Sequence, residues 1–292
     1  MKKVGFIGLG TMGSFMAQNI MAAGFPLYVY NRTAAKTAPL AAKGATICES
    51  PADVGRQCEI CVVCVADAPD VEEVIMGPSG IAAGMKAGGL IIDCTTSSAS
   101  LARHMHSQLA EREIGILDAP VSGGPEGARS GSLVIMVGGE TDVFERAYPV
   151  LQAIGLKITL VGGPGAGQLT KAINQIIVGA NLAIIAEGIA LARKNGLDAA
   201  KVVDAIAGGA AKSWALSLRG PMMLNEKFRP PKFALALHAK DFRLALEAAE
   251  ACGCQLDVTE TVAELFKTLT EEGFGGLDHS GIYLHTKNQN GL

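Results

Sequence analysis

A lysine and two side-chain amides are grouped in the longest apolar stretch of the chain, residues 163–193. Lys171, Asn174 and Gln175 are spaced at i, i+3 and i+4, so a helix places all three on one face. Burying a lysine costs free energy unless its ammonium group is paired or used in chemistry. Desolvation favours the neutral amine, which suits a group that exchanges protons near neutral pH. A lysine whose ammonium group reaches solvent is the alternative that these residues leave open.

A glycine-rich turn lies between a predicted strand at residues 4–7 and a predicted helix at residues 14–23. In its pattern, G-x-G-x-x-G, the first glycine makes a tight turn, the second lets a pyrophosphate approach and the third lets the helix pack on the strand. N–H groups at the helix start then bind the phosphates. This context predicts dinucleotide binding, against the alternative of a glycine-rich turn in another α/β protein. The predicted cofactor-binding residues of the turn are Gly8, Leu9, Gly10, Thr11, Met12 and Gly13.

The second predicted strand, residues 26–30, ends in Asn31, Arg32 and Thr33. An acidic residue is expected at this place in proteins that hold the ribose 2′-hydroxyl of NAD. Asn31 is neutral, and Arg32 can bind a 2′-phosphate through two hydrogen bonds. We therefore predict NADP as the cofactor, with NAD used less well. The alternative is that Arg32 is an ordinary solvated charge and that selectivity is loose.

Strands and helices alternate through the first half of the chain. The predicted strands cover residues 4–7, 26–30, 45–47, 60–65, 90–94, 116–119, 133–137 and 158–161. Apolar strands that alternate with helices predict an α/β fold with a doubly wound parallel sheet of the Rossmann type. Ligands bind outside the carboxyl ends of such strands, so Val65, Ala66 and Thr96 are predicted to border the cofactor.

A second turn with donor groups, Ser122-Gly123-Gly124, follows the predicted strand at 116–119. Successive backbone amides in one turn form a small anion-binding concavity, and the Ser122 hydroxyl adds a donor. This turn is therefore predicted to bind a carboxylate.

The second half of the chain has no convincing strand pattern. We predict a dinucleotide-binding domain at residues 1–162, a long interdomain helix at 163–193 and an all-α domain for substrate binding and oligomerisation at 194–292. Trp214, the only tryptophan, either covers the substrate or packs as an aromatic residue of a helix. The tail, residues 278–292, is predicted to be poorly structured.

Composition excludes several classes of function. The 292 residues have a net charge of −3 and no basic block, which argues against a nucleic-acid partner. Polar residues interrupt the stretch 163–193, so we predict a buried helix of a soluble protein and no membrane span. Seven cysteines in a chain this long predict the reducing cytoplasm rather than a disulfide scaffold. Cys61 and Cys64 lie in an apolar strand and the five histidines are scattered, so no metal site is predicted.

Four separated motifs make nearly the whole chain resemble the β-hydroxyacid dehydrogenase family, the group of 3-hydroxyisobutyrate dehydrogenase and tartronate semialdehyde reductase. The motifs are FIGLGTMG at 6–13, DAPVSGGPEGA at 118–128, GAGQLTKAINQ at 165–175 and HAKD at 238–241. The resemblance implies that Lys171 is catalytic, that Ser122 and Gly123 hold the substrate carboxylate and that Lys240 lies near the nicotinamide. It also implies a homo-oligomer, a dimer or a tetramer, built through the helical domains.

Two details bear on the substrate and the cofactor. Many members have two asparagines after the lysine, whereas the pair Asn174 and Gln175 is similar to the tartronate semialdehyde reductase branch. The segment 31–33 is similar to that of NADP-using members, although several relatives in that same branch have an Asp there. With this resemblance, we predict NADPH-dependent reduction of a small semialdehyde carboxylate, with 2-hydroxy-3-oxopropionate (tartronate semialdehyde) as the first candidate. Lys171 is the predicted general acid and base, and Asn174 and Gln175 are predicted to hold the substrate.

The sequence leaves other functions as alternatives to this one. Within the family, the alternatives are a glyoxylate or succinic semialdehyde reductase and a 3-hydroxyisobutyrate dehydrogenase. A decarboxylating dehydrogenase of the 6-phosphogluconate type would need a longer second domain and an Arg-rich phosphate clamp. A non-catalytic NADPH-binding module is the alternative from another class, and the intact Lys171 argues against it.

Overall fold

The computed structural model describes residues 2–292, which form two compact units. The N-terminal unit runs to Lys171, and the helical unit comprises Ala172–Leu292. The first turn of the long helix thus belongs to the N-terminal unit, nine residues beyond the boundary at 162 that the sequence predicts.

A nine-stranded sheet forms the centre of the N-terminal unit. All eight predicted strands are present, with ends within three residues of the predicted ones, and a short ninth strand is added. The strands are β1 (Val4–Ile7), β2 (Leu27–Tyr30), β3 (Thr46–Ile47), β4 (Ile60–Val63), β5 (Leu90–Asp93), β6 (Gly115–Asp118), β7 (Val121–Ser122), β8 (Leu133–Gly138) and β9 (Gly155–Gly162). The helices are α1 (Gly13–Ala22), α2 (Ala38–Ala41), α3 (Pro51–Gln57), α4 (Ala68–Met76), α5 (Ile81–Gly84), α6 (Ala99–Ala110), α7 (Gly124–Ser130) and α8 (Thr141–Ile154), with a 3-10 turn at Ala34–Thr37.

The sheet is mostly parallel, in the order β3-β2-β1-β4-β5-β6-β8-β7, with β9 paired to β8. The prediction of a doubly wound, parallel sheet of the Rossmann type is confirmed, with an exception at one side, where β8 runs antiparallel to both β6 and β7. The reason is the length of the connection. Residues 123–132 between β7 and β8 are fewer than the dozen or so that a parallel crossover needs.

Buried side chains cover both faces of the sheet and hold it between the helices. One cluster includes Met16, Val62 and Leu133, and the other includes Val54, Cys61 and Ile91. Cys61 is fully buried in the second cluster, where burial raises the pKa of its thiol far above the usual range. Cys61 is thus part of the apolar core, as the sequence pattern indicated, whereas Cys64 is half-buried beyond the end of β4 and packs against the first cluster.

The long helix α9 (Ala166–Lys194) continues from the N-terminal unit into the helical unit. Within residues 2–292 it is the one helix long and apolar enough to cross a bilayer, a property that it shares with core helices of soluble proteins. The prediction of a buried helix is only half right, because 44% of its apolar window is buried. The opposite face carries large exposed apolar side chains, namely Leu169, Ile173, Ile177, Ile184 and Leu191.

The helical unit packs its other helices around a core that contains Phe242, Phe266 and Tyr283. These helices are α10 (Ala199–Ala207), α11 (Trp214–Leu224), α12 (Leu235–Cys252), α13 (Asp257–Leu269) and α14 (Tyr283–Gln289), with a π turn at Thr270–Phe274 and a 3-10 turn at His279–Ile282.

The prediction of a poorly structured tail is wrong. Residues 279–289 are helical, and Tyr283 is fully buried. Asp278 anchors this segment, because its carboxylate accepts hydrogen bonds from the backbone N–H groups of Lys232 and Ser280. The segment is too short to show an apolar period, so the sequence gives little warning of its order.

Candidate active site

The glycine-rich turn has the strand–turn–helix geometry that the sequence predicts, and two of its glycines are required by the protein itself. Gly8 has a φ of +98°, and a Cβ atom there would lie 2.1 Å from the carbonyl oxygen of Cys64. A Cβ atom at Gly13 would lie 2.0 Å from the carbonyl oxygen of Gly8. These two positions therefore bring β1, α1 and the end of β4 into close contact.

Gly10 differs from the other two glycines. No heavy atom among residues 2–292 comes within 4 Å of a Cβ atom built at Gly10, apart from its neighbours in the chain. Packing of the protein thus does not explain a glycine at this position. Open space over bare backbone at a helix start fits a dinucleotide pyrophosphate.

The segment after β2 lies beside this turn. The Asn31 side chain accepts a hydrogen bond from the Leu9 N–H group (2.8 Å) and donates one to the Thr33 carbonyl oxygen (2.9 Å). The Arg32 side chain is 81% exposed, and its guanidinium group lies 2.9 Å from the Asp70 carboxylate at the start of α4. The structure therefore brings Asn31 to the turn and leaves Arg32 accessible to an anionic ligand.

The loops after β4 and β5 are joined to each other. The Val65 N–H group donates to the Thr95 hydroxyl (3.1 Å), and the Thr95 N–H group donates to the Asp93 carboxylate (2.9 Å). Thr96 is half-buried in the same loop. Val65, Ala66 and Thr96 thus follow the carboxyl ends of neighbouring parallel strands, where a bound dinucleotide is expected.

The start of α9 is fixed to the sheet by Asp118, the last residue of β6. Its two carboxylate oxygens accept hydrogen bonds from the N–H groups of Gly165 (2.8 Å) and Gln168 (2.9 Å). Burial raises the pKa of Asp118, and these backbone hydrogen bonds act in the opposite direction. The carboxyl group satisfies donors at the helix start that have no partner within the helix.

The side chain of Gln168 makes a second connection, to the loop after β5. Its amide oxygen accepts from the Ser97 N–H group (3.0 Å), and its amide nitrogen donates to the Thr95 carbonyl oxygen (2.7 Å). Lys171 follows one turn later and is 7% exposed. The sheet therefore holds the lysine-bearing turn of α9 through two buried polar side chains, Asp118 and Gln168.

Sequence reasoning did not assign Asp118 or Gln168 to the site. Asp118 opens the motif at 118–128, and Gln168 is one of the polar residues that interrupt the apolar stretch 163–193. A buried polar residue in an apolar helix needs a hydrogen-bond partner, and that requirement was the available signal.

The predicted carboxylate-binding turn is more structured than the sequence suggests. Ser122 is the end of β7 and is half-buried, while Gly124 begins α7. Gly123 and Gly124 have φ angles of +132° and +66°, which side-chain-bearing residues rarely adopt. The short strand and the helix were not predicted, and both glycines are required by the backbone.

Within the helical unit, a line of polar groups links α9 to α12. Asn174 donates to the amide oxygen of Gln175 (2.8 Å), and Gln175 donates to the Asp241 carboxylate (2.6 Å). The Lys240 ammonium group lies 3.7 Å from the other oxygen of Asp241. Asp241 was missed as a site residue, although its place beside Lys240 in the HAKD motif is a signal.

Trp214 is the first residue of α11 and is 43% exposed. The guanidinium group of Arg219 lies 4.6 Å from the centre of its ring, a cation–π contact. The Trp214 side chain thus has a fixed neighbour on one face and remains partly accessible.

Comparison with known proteins agrees with this architecture. Residues 3–163 match a family model described as the NAD binding domain of 6-phosphogluconate dehydrogenase. Residues 165–285 match one described as the NAD-binding domain of NADP-dependent 3-hydroxyisobutyrate dehydrogenase. Together the two models cover both compact units.

Individual relatives extend over nearly the full chain. The 2-hydroxy-3-oxopropionate reductase of Escherichia coli is 42% identical over 281 residues, or 96% of this chain and 95% of the relative. Mycobacterium tuberculosis 3-hydroxyisobutyrate dehydrogenase, solved with L-serine, has a TM-score of 0.89 at 29% identity, over 98% of this chain and 99% of its own. Psf3, in complex with NADP+ and 2-OPP, has a TM-score of 0.88 at 25% identity, over 97% of this chain and 99% of its own.

The glycine-rich turn, the buried lysine on the long helix and these full-length similarities lead to one conclusion. The chain belongs to the β-hydroxyacid dehydrogenase family of NAD(P)-dependent oxidoreductases.

Proposed function

We propose that the protein is an NADPH-dependent reductase of a small semialdehyde carboxylate, with 2-hydroxy-3-oxopropionate as the first candidate substrate. The observation that carries the proposal is Lys171. Lys171 is 7% exposed and lies one helical turn beyond Gln168. Gln168 is hydrogen-bonded to Asp118 and Thr95 at the carboxyl end of the sheet. The 42% identity to the Escherichia coli 2-hydroxy-3-oxopropionate reductase supports the choice of substrate.

The preference for NADP rests on Arg32. Its exposed guanidinium group follows β2, where the adenosine ribose is held in this type of fold, and it can form two hydrogen bonds with a 2′-phosphate. Asn31 bonds to the turn at Leu9 and carries no charge that would repel the phosphate. The solved complex of Psf3 with NADP+ adds support from a relative.

When bound, the nicotinamide cofactor supplies a hydride to the substrate carbonyl. Lys171 then donates a proton to the oxygen that becomes an alkoxide, and it accepts that proton in the reverse direction. The positive charge of Lys171 also stabilises the developing negative charge on that oxygen. The Ser122 hydroxyl and the N–H groups of Gly123 and Gly124 hold the substrate carboxylate, and Asn174, fixed by Gln175, orients the substrate.

Turnover of a substrate panel tests this function. NADPH oxidation is followed with 2-hydroxy-3-oxopropionate, glyoxylate, succinic semialdehyde and methylmalonate semialdehyde, with NADH in parallel. We expect the highest kcat/KM with 2-hydroxy-3-oxopropionate and NADPH. A higher value with methylmalonate semialdehyde would favour a 3-hydroxyisobutyrate dehydrogenase. Tight NADPH binding without turnover of any of the four would favour the non-catalytic module.

We also propose that the protein is a cytoplasmic homo-oligomer. A second copy of the chain covers the exposed apolar face of α9, which includes Ile173, Ile177 and Ile184, each at least 56% exposed. Light scattering should show that Ile177→Glu lowers the oligomeric state, whereas Ile47→Glu, at an exposed position in β3, does not. The seven free thiols agree with a reducing compartment.

A further inference from the structure

Three buried side chains of the helical unit form a continuous line of hydrogen bonds that ends on the backbone of α9. The Arg219 Nε atom lies 3.0 Å from His279 Nε2, and His279 Nδ1 lies 3.0 Å from His238 Nδ1. His238 Nε2 lies 3.0 Å from the carbonyl oxygen of Gln175. Arg219, His279 and His238 are 4%, 3% and 0% exposed, so water does not compete for these bonds.

The chemistry of the two ends fixes every proton in this line. A carbonyl oxygen only accepts, so His238 Nε2 must carry the proton that is donated to Gln175. A guanidinium N–H group only donates, so His279 Nε2 must be the acceptor for Arg219. The remaining proton of His279 therefore lies on Nδ1 and is donated to the unprotonated Nδ1 of His238. Both imidazoles are neutral, and they are opposite tautomers.

Each neutral imidazole carries one ring proton, and an additional proton on either ring would break this line of hydrogen bonds. If His238 were charged, two N–H groups would face each other across the 3.0 Å contact with His279. If His279 were charged, its Nε2–H group would face the Nε–H group of Arg219. Either event removes one buried hydrogen bond and places two donors in contact, which is costly where water is excluded.

Two opposite charges lie near His279 Nε2. The Asp278 carboxylate, 3.9 Å away, favours a charged imidazole, whereas the Arg219 guanidinium group, whose Nε atom is 3.0 Å away, opposes it. Asp278 also lies 3.7 Å from Arg219 Nε and offsets the buried guanidinium charge. On α12, the charges of Lys240 and Asp241 oppose each other at 3.7 Å. The rings of Phe233, Phe242 and Phe266 surround His238. They supply no charge and keep the site dry.

The line ends at the turn of α9 that carries the proposed substrate-orienting residues. Gln175 binds Asp241 and Asn174 through its side chain while its carbonyl oxygen accepts from His238. At Gly179, one turn later, a Cβ atom would lie 2.4 Å from the Phe242 ring and 3.2 Å from His238 Nε2. Helices α9 and α12 therefore pack closely at this point. Because His238 is bonded to the Gln175 carbonyl oxygen, a small displacement of His238 also moves this turn of α9.

We propose that His238 and His279 are positioning residues. As neutral imidazoles of opposite tautomers they hold the Gln175 turn of α9 in place, and protonation of either one releases it. The effect on turnover rests on the proposed function, whereas the tautomers and their titration do not.

The tautomers are measured by long-range ¹H–¹⁵N correlation on the full chain labelled with ¹⁵N-histidine. His238 should be protonated at Nε2 and His279 at Nδ1 at pH 7, and neither should become charged between about pH 5 and 8, the range in which an unperturbed histidine changes its charge. Signals are assigned with His238→Gln and His279→Asn. A charged imidazole at pH 7, the reverse tautomers, or titration of either residue within that pH range would overturn the proposal.

The effect on the site is measured by splitting kcat from KM for the best substrate of the panel. His279→Leu should raise KM about tenfold, because a buried partner is left without its hydrogen bond. His279→Asn keeps an N–H donor toward His238 and should restore most of that loss. His104→Leu is the matched control on α6 and should change neither constant. Circular dichroism checks that both His279 variants are folded. If they are, equal KM values for the Leu and Asn variants would assign the pair a purely structural role.

These readouts separate the two proposals. If no substrate of the panel is turned over, the tautomers and their titration still decide whether the histidine pair is locked. If turnover is high but the tautomers are reversed, the proposed function stands and the positioning role fails.

Discussion

Gln168 donates its backbone N–H group to the buried carboxylate of Asp118 at 2.9 Å, and this bond fixes the first turn of α9 to the end of β6. The side chain of the same glutamine bonds to the loop after β5. One residue of the long helix is thus bonded to two neighbouring strand ends, and Lys171 lies one turn beyond it. The position of the proposed acid is set by the sheet and not by the helix alone.

Gln168→Leu should reduce turnover while leaving the chain folded. The change leaves the Ser97 N–H group and the Thr95 carbonyl oxygen without their partner, at a cost of about 1–3 kcal/mol for each buried group. We expect kcat to fall at least about tenfold, since small displacements of a catalytic group are expensive. Gln108→Leu, on the exposed side of α6, is the control. Equal kcat values for the two variants would contradict the anchoring role.

Substitutions at two positions of the glycine-rich turn should have different effects, one on NADPH binding and the other on the stability of the fold. Gly10→Ala places a methyl group in open space, so the melting temperature should stay within about 2 °C, while the Kd for NADPH rises about tenfold or more. Gly13→Ala meets the Gly8 carbonyl oxygen and should lower the melting temperature, because overpacking costs about 1–3 kcal/mol. Thermal melts and fluorescence titrations measure both quantities. Unchanged NADPH affinity in Gly10→Ala would mean that the pyrophosphate lies elsewhere.

Arg32→Gln should weaken NADPH binding selectively. Charge-assisted hydrogen bonds contribute about 1.5–3 kcal/mol each, so the Kd for NADPH should rise about 10- to 100-fold while that for NADH changes little. Arg56→Gln removes another exposed arginine that pairs with an aspartate, Asp53, at 3.1 Å, and it should leave both constants unchanged. A parallel loss of NADH affinity in Arg32→Gln would indicate a structural role for Arg32 instead of selectivity.

The cysteines should react in two classes. Cys252 and Cys254 are exposed, whereas the other five lie in the N-terminal unit, four of them buried. Burial raises the pKa of Cys48 to about 11 and those of Cys58 and Cys64 to about 12, so almost no thiolate forms at pH 8. DTNB should therefore titrate two thiols quickly in the native protein and seven in denaturant. A third fast thiol would contradict the protection of the five cysteines in the N-terminal unit.

Much of the fold follows from local patterns in the sequence. The glycine-rich turn, the apolar strands and the long helix each have a periodicity or a spacing that shows in one segment. For the same reason Lys171 is recognisable, since it interrupts an apolar stretch beside two amides. Asn31, Arg32 and Thr33 are recognisable because they follow a strand at the place of the ribose.

The remaining features depend on contacts between distant segments. The direction of β8 depends on its pairing with β6, which leaves no mark in either strand's own pattern. The order of the tail depends on the burial of Asp278 and Tyr283 in the helical unit. Asp118 and Asp241 are ordinary acidic residues until their partners, 47 and 66 positions away, are known. The half-exposed state of α9 is also invisible to periodicity, because both faces of the helix are apolar.

The most direct test of the account is the effect of Lys171→Met on hydride transfer. NADPH oxidation by 2-hydroxy-3-oxopropionate is measured under single-turnover conditions, with the NADPH Kd from fluorescence. Loss of a general acid should slow the reaction about 100- to 10,000-fold and leave the Kd unchanged. Lys194→Met, at the exposed end of the same helix, should react at the wild-type rate. Near-full turnover by Lys171→Met would contradict the proposed chemistry.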